Sequence, residues 1–283
     1  MNLLEVKNLC KSYPSFKLED VSFSLPKGYI MGFIGKNGAG KSTVIKCIYN
    51  LIKKDKGDIY LLGRKLEDIS ELELKQEVAL MLGGMDIYPT SKIGEIGEVV
   101  SSFYKNFDNE TYNRLLKKFE LDKNKKFKEL SNGMKSKFLL TLAMSHKAKL
   151  LILDEPTSGL DPYSRDQLLE EFQNYIQDGE RSILFSTQIV SDLESIADYI
   201  GYIKEGKIID FATKDDFVSS YKIFSTKKEI GEHIDPSILV GIRESSVSFE
   251  GLIRNKDASK LPEGIELSEP SIEEIMIFNE RGK

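Results

Sequence analysis

Residues 35–43 read GKNGAGKST and match G-x-x-x-x-G-K-[ST] at Gly35, Gly40, Lys41 and Ser42. Glycines at these places let successive backbone N–H groups wrap around anionic oxygens, and a helix opening at Lys41 adds the positive end of its dipole. Lys41 would neutralise the β- and γ-phosphates of a nucleoside triphosphate, and the Ser42 hydroxyl would hold Mg²⁺. Lys36, Asn37, Gly38, Ala39 and Thr43 complete the same cradle. A glycine-rich turn without a ligand is the plain alternative. The expected strand before the loop and helix after it favour phosphate binding.

A second stretch, LLILDEP (150–156), is an apolar strand that ends in two adjacent acids. Asp154 at the strand end can reach Mg²⁺, while Glu155 can polarise a water for attack on the γ-phosphate. A helix cap ahead of Pro156 would use the same residues for structure alone. A third stretch, ILFSTQIV (183–190), carries Ile183, Leu184 and Phe185 into Ser186, Thr187 and Gln188. It reads as a buried strand emerging at a sheet edge. By itself the polar end also suits a helix start, where such groups satisfy free N–H groups.

The elements that must position these residues follow from periodicity. Residues 3–9 and 21–25 alternate apolar and polar, as half-buried antiparallel strands do. Residues 29–35, and 149–156 within their bounding charges and Pro156, are continuously apolar, which suits central strands covered on both faces. A helix is expected from Ser42 to Ile52, with apolar residues at 44, 45, 48, 51 and 52 on one face, and a strand at 57–63. Residues from about 90 to 145 read as mostly helical, 164–177 as an amphipathic helix, and 199–212 as a hairpin turned by Glu205-Gly206. Alternating strands and helices predict an α/β fold with a doubly covered sheet. The expected division is residues 1–220 as one domain and 221–283 as a small βαβ-like α+β tail.

The chain has 283 residues, 40% hydrophobic and 30% charged, as expected of a globular protein. A net charge of −5 argues against a nucleic-acid partner, which usually calls for a basic surface. Cys10 and Cys47 give neither a disulfide framework nor a metal-ligand spacing, and a reducing cytoplasm is the simplest compartment. No targeting segment or run of ~20 apolar residues is visible, so membrane association is expected to come through a partner.

With LSNGMKSK (130–137) between the first two motifs and SGLD (158–161) after them, residues 1–220 resemble the ATP-binding subunit of an ABC transporter. Ser131 lies 23 residues before Asp154 and Gln188 lies 34 after it, in the order that family keeps. The resemblance implies a P-loop NTPase core with an antiparallel β subdomain and a helical subdomain, an ATPase activity, and ATP with Mg²⁺. It also implies an integral membrane permease and a head-to-tail dimer with a second ATP-binding subunit, at the cytoplasmic face of the cell membrane. Ser131, Asn132 and Gly133 would then contact the ATP held by the partner, Asp161 would sit at the dimer seam, and Tyr13 would stack on adenine. Ser131 equally suits a helix cap, and Tyr13 a surface position.

Three departures from the family pattern stand out. Leu-Ser-Gly-Gly-Gln is replaced by Leu130-Ser131-Asn132-Gly133-Met134, where Asn132 is expected to keep a left-handed turn. Gly83 occupies the place of a Gln that senses nucleotide and permease, with Asp86 nearby as a substitute. Gln188 stands where the family usually has a His that contacts the γ-phosphate. An amide still donates to phosphate and accepts from water, so slow hydrolysis is expected rather than none. A homodimer would carry two Gln188 sites, and a heterodimer one. The segment 185–209 and the tail resemble bacterial multidrug and antimicrobial-peptide exporter ATPases, including those for amphipathic toxins such as phenol-soluble modulins. An importer ATPase, or a soluble ABC protein acting on ribosomes or DNA, is the alternative.

Overall fold

The computed structural model describes residues 1–83 and 87–281. The chain divides into two compact units, Met1–Phe211 and Ala212–Lys283. The first opens with β1 (Asn2–Tyr13), β2 (Phe16–Pro26), β3 (Ile30–Ile34), α1 (Lys41–Ile48), β4 (Lys56–Leu61) and β5 (Arg64–Lys65). Next come α2 (Glu71–Glu77), β6 (Val78–Met81), α3 (Ile93–Phe103), α4 (Asn109–Lys118) and α5 (Asn132–Ser145). It continues with β7 (Leu150–Asp154), α6 (Pro162–Ile176), β8 (Ser182–Ser186), α7 (Val190–Ile196), β9 (Tyr199–Lys204) and β10 (Lys207–Thr213), which runs two residues past its boundary.

Two sheets carry the first unit. One is antiparallel, in the order β2-β1-β4-β5, and the other has the order β10-β9-β3-β8-β7-β6. Strands β9, β3, β8, β7 and β6 of the second run parallel. Every residue of β3 and β8 is buried, as are the first four of β7, which explains their unbroken apolar sequence. The register aligns Phe33 with Ser186 and Ser186 with Asp154, so the C-terminal ends of β3, β8 and β7 lie side by side. Ligands of parallel sheets bind at that edge. A shared core, with Leu4, Val6 and Leu25 from one sheet and Phe33, Ile152 and Leu184 from the other, joins the two.

Helix α1 ends at Ile48, four residues short of the sequence expectation. Asn50 turns left-handed at φ 57° and leaves Leu51 exposed. The hairpin at Glu205-Gly206 forms as expected, with φ of 49° and 79°. A Cβ on Gly206 would stand 1.8 Å from the Lys17 carbonyl oxygen, so only glycine fits.

The second unit holds the end of β10, α8 (Lys214–Ser219), β11 (Tyr221–Lys227), α9 (Lys228–Gly231), β12 (Leu239–Glu244), β13 (Ser248–Arg254), β14 (Leu267–Ser268) and α10 (Ile272–Arg281). It begins at Ala212, not 221, because Phe217 of α8 packs its ring on Tyr221. It is not a βαβ unit. Its four strands form an antiparallel sheet in the order β12-β13-β11-β14. The lysines at both ends of β11 mask a strand whose Tyr221 and Phe224 are buried.

His146 closes α5 at 2% exposure, its ring 3.8 Å from that of Tyr104 and its Nε2 3.0 Å from the Gln76 carbonyl. A carbonyl only accepts, so the neutral ring donates from Nε2. Burial pushes its pKa down to about 4, outweighing the Gln76 bond and the Glu77 charge. The unfolded chain therefore takes up a proton from pH 6.5 downward that the folded chain refuses until about 4. Stability should fall as pH drops through that window, by on the order of 3 kcal/mol at most. Denaturant unfolding at pH 7 and pH 4.5 measures the loss, and His146→Phe should flatten it.

Candidate functional site

The loop between β3 and α1 turns on glycines. Gly40 has φ 117° and serves as the N-cap of α1 without a side chain to occupy the free N–H groups. A Cβ on Gly35 (φ 154°) would lie 2.2 Å from the Ile203 carbonyl oxygen, so the loop is held tight against β9. Lys36, Asn37, Gly38, Gly40, Lys41, Ser42 and Thr43 line a cleft of about 420 Å³ together with Asp154 and Glu155. Ala39 sits just beneath, its carbonyl accepting from the Gly206 N–H at 2.9 Å.

Lys41 is 6% exposed, and its Nζ donates to the carbonyls of Gly35 at 2.6 Å and Lys36 at 3.3 Å. Burial lowers its pKa against the upward pull of Glu155 and Asp154. Nζ stands 4.0 Å from the Glu155 carboxylate. The cation is thus held inside the loop by carbonyl dipoles, facing two acids.

Asp154 ends β7 with both carboxylate oxygens engaged. Ser42 Oγ donates to Oδ2 at 2.7 Å, and Ser186 Oγ donates to Oδ1. Sequence reasoning gave Ser186 no role. Its signal was its place at the end of a strand adjacent to β7. Glu155 is left-handed at φ 53°, a conformation that costs a non-glycine residue on the order of 1 kcal/mol. Its N–H donates to the Ser186 carbonyl at 3.0 Å, which keeps it at the sheet edge.

Gln188 bridges this edge. Its side-chain Nε2 donates to Asn37 Oδ1 at 2.8 Å and, more loosely, to Glu155 Oε1 at 3.3 Å. Its backbone N–H reaches Glu155 Oε2 at 3.3 Å. The Gln188 amide therefore joins the phosphate loop to the acid after β7. It is not the cap of α7, whose N-cap Ile189 has no side-chain cap bond.

Other expected residues lie elsewhere. Tyr13, at the end of β1, is 40% exposed with Lys11 Nζ 5.6 Å from its ring centre, and it is not in the cleft lining. Ser15 and Phe16 of the β1–β2 turn line the cleft instead, and sequence reasoning missed them. Phe16 Cζ would stand 2.9 Å from a Cβ on Gly40, which marks how closely the ring covers the loop. Ser131 caps α5 by accepting from the Met134 N–H at 3.2 Å, and Asn132 is helical rather than left-handed. Ser131, Asn132 and Gly133 do not line the cleft. Asp161 caps α6, accepting from the Ser164 N–H at 3.0 Å and Oγ at 2.6 Å, bonds that hold its carboxyl below the usual range. A Cβ on Gly83 would stand 3.4 Å from the Asp154 carbonyl oxygen, and Asp86 lies outside the described residues.

Residues 18–158 match the family described as ABC transporter. The lantibiotic transport ATP-binding protein SrtF of Streptococcus pyogenes is 35% identical over 210 residues, spanning 73% of this chain and 89% of that protein. The chain belongs to the ABC transporter ATP-binding family. The linearmycin resistance ATP-binding protein LnrL of Bacillus subtilis is 32% identical, over 77% of this chain and 71% of its own length. A solved ATP-binding subunit of an ABC transporter superposes with a TM-score of 0.69 at 32% identity, covering 76% and 91% of the two chains. The fold also matches a dimeric ATP-binding cassette bound to ADP and Pi, TM-score 0.66 at 20% identity, over 74% and 98%. The chain is therefore an ABC ATPase.

The residues present fit its nucleotide. Uncapped N–H groups and Lys41 suit phosphate, and the hydroxyl–carboxylate pair Ser42–Asp154 offers the hard oxygens that Mg²⁺ prefers. Among the described residues no group of three or more His, Cys, Asp or Glu gathers elsewhere to hold a metal. Ser42→Ala should weaken binding of a fluorescent ATP analogue about 10-fold, ~1.4 kcal/mol, in Mg²⁺. Titration in excess EDTA should show little difference from the native chain.

Proposed function

We propose that this ABC ATPase powers export of an amphipathic peptide or drug through a separate membrane permease, with turnover slowed by Gln188. The observation that carries the catalytic part is the Asn37–Gln188–Glu155 bridge, an intact acid and a replacement amide at one sheet edge. Glu155 takes a proton from the attacking water, and Gln188 orients that water and donates toward the γ-phosphate. Lys41 neutralises the transferred charge. Ser42 and Asp154 hold Mg²⁺, which when bound offsets negative charge on the phosphates.

Glu155 and Gln188 act on one water between them, so the two side chains have to stay within reach of each other during turnover. Adenine stacks on an aromatic ring of this corner, for which Phe16 in the cleft lining is better placed than Tyr13 outside it. Ser131, Asn132 and Gly133 reach the ATP held by a second ATP-binding subunit, with Asp161 at the seam, and the capping bonds of Ser131 and Asp161 set their direction. Residues 221–283 are an accessory part of the second unit. The chain works as a peripheral subunit on its permease; among the described residues no helix is long and apolar enough to cross a membrane. Export is supported by the relatives whose names refer to lantibiotic transport and linearmycin resistance.

Phosphate release from Mg²⁺-ATP should rise more than linearly with protein concentration if two copies pair. Gln188→His should raise kcat about 10-fold, less than the full value of a well-placed transition-state donor. Direction is read with the permease in inside-out vesicles. Export predicts ATP-dependent uptake of an amphipathic peptide there, and uptake only in right-side-out vesicles would contradict it.

A further inference from the structure

Asp192 of α7 is 1% exposed and lies outside the nucleotide cleft, yet it joins three elements of the hydrolytic edge. Thr157, fully buried, donates from Oγ1 to Asp192 Oδ2 at 2.6 Å. Arg165 of α6 places Nε 3.7 Å from Oδ1, and that buried Nε has no hydrogen-bond partner. A buried guanidinium nitrogen without an acceptor is costly, and Asp192 is the acid that its charge faces. Thr157 follows Glu155 by two residues, and Asp192 follows Gln188 by four. The same helix is seated on β3, because the space a Cβ would fill at Gly32 holds the Leu193 side chain, 2.1 Å away.

We infer that Asp192 is a positioning residue for ATP hydrolysis, tying the loop that carries Glu155 to the helix that follows Gln188. The inference rests on the reading of Glu155 and Gln188 as the hydrolytic pair. Neither Thr157 nor Asp192 lines the cleft, so their effect has to pass through those two side chains. The geometry of the tie explains the direction of the effect. Removing the Thr157 donor leaves a buried carboxylate facing only Arg165, and α7 is then free to shift Gln188 away from Glu155. A misplacement of about 1 Å at reacting groups can cost on the order of 100-fold in rate.

The test uses the full chain with Thr157→Val, close in shape but without the donor, and Thr157→Ser, which keeps it. Thr157→Val should lower kcat about 10- to 100-fold, with KM and the affinity for a nonhydrolysable ATP analogue within about twofold. Thr157→Ser should recover most of the rate. On a Gln188→Ala background, Thr157→Val should add less than it costs the native chain, because one of the two side chains it acts through is already removed. An unchanged kcat, a parallel loss of nucleotide affinity, or a full additive loss on that background overturns the proposal. If Gln188→Ala leaves kcat at the native value, the hydrolytic reading of Gln188 fails first and the proposal with it. Asp192→Asn, which can still accept from Thr157, gives a second variant should Thr157→Val fold poorly. It should lower kcat less than Thr157→Val, and a larger loss would contradict the role given to the Thr157 bond.

Discussion

The site depends on the in-register parallel pairing of β3, β8 and β7. Because Phe33, Ser186 and Asp154 are neighbours across that sheet, three loops leave it at one level. The phosphate loop, the Glu155 turn and the Gln188 turn meet there, close enough for the one Gln188 side chain to span them. Ser42 and Ser186 then each donate to one oxygen of Asp154. Shifting any one strand by a residue would turn its side chains to the other face and dissolve the cluster.

Charge is arranged around that edge with little slack. Lys41 is buried deeply enough for desolvation to lower its pKa, and the cost is offset by two carbonyl bonds and two nearby acids. Asn37 Oδ1 and Glu155 Oε1, both acceptors, share the Gln188 amide as their donor. An imidazole in that place would have two ring nitrogens and different reach. Gln188 is therefore one of the places where the sequence departs in chemistry from the pattern it resembles.

Much of the edge was legible in the sequence, because its parts are local. The glycines of residues 35–43, the acids closing LLILDEP and the apolar runs of β3, β7 and β8 are each readable within a few residues. Ser186 as a partner of Asp154 was not, since that contact depends on which strands are neighbours. Phe16 was missed and Tyr13 expected in the cleft, because the β1–β2 turn decides which aromatic ring faces Gly40. Asn132 was expected to turn left-handed, but Ser131 caps the helix and Asn132 simply begins it. The tail was misread for a related reason. Its antiparallel pairs join segments as distant as Ile223 and Ser268, and its central strand β11 carries lysines near both ends.

The most direct measurement is single-turnover phosphate release from Mg²⁺-ATP by the native chain and by Glu155→Gln, with bound ATP followed in parallel. Glu155 as the base predicts a loss of about 100-fold or more in the rate with ATP retained. Near-native hydrolysis by Glu155→Gln would contradict it and place the base elsewhere.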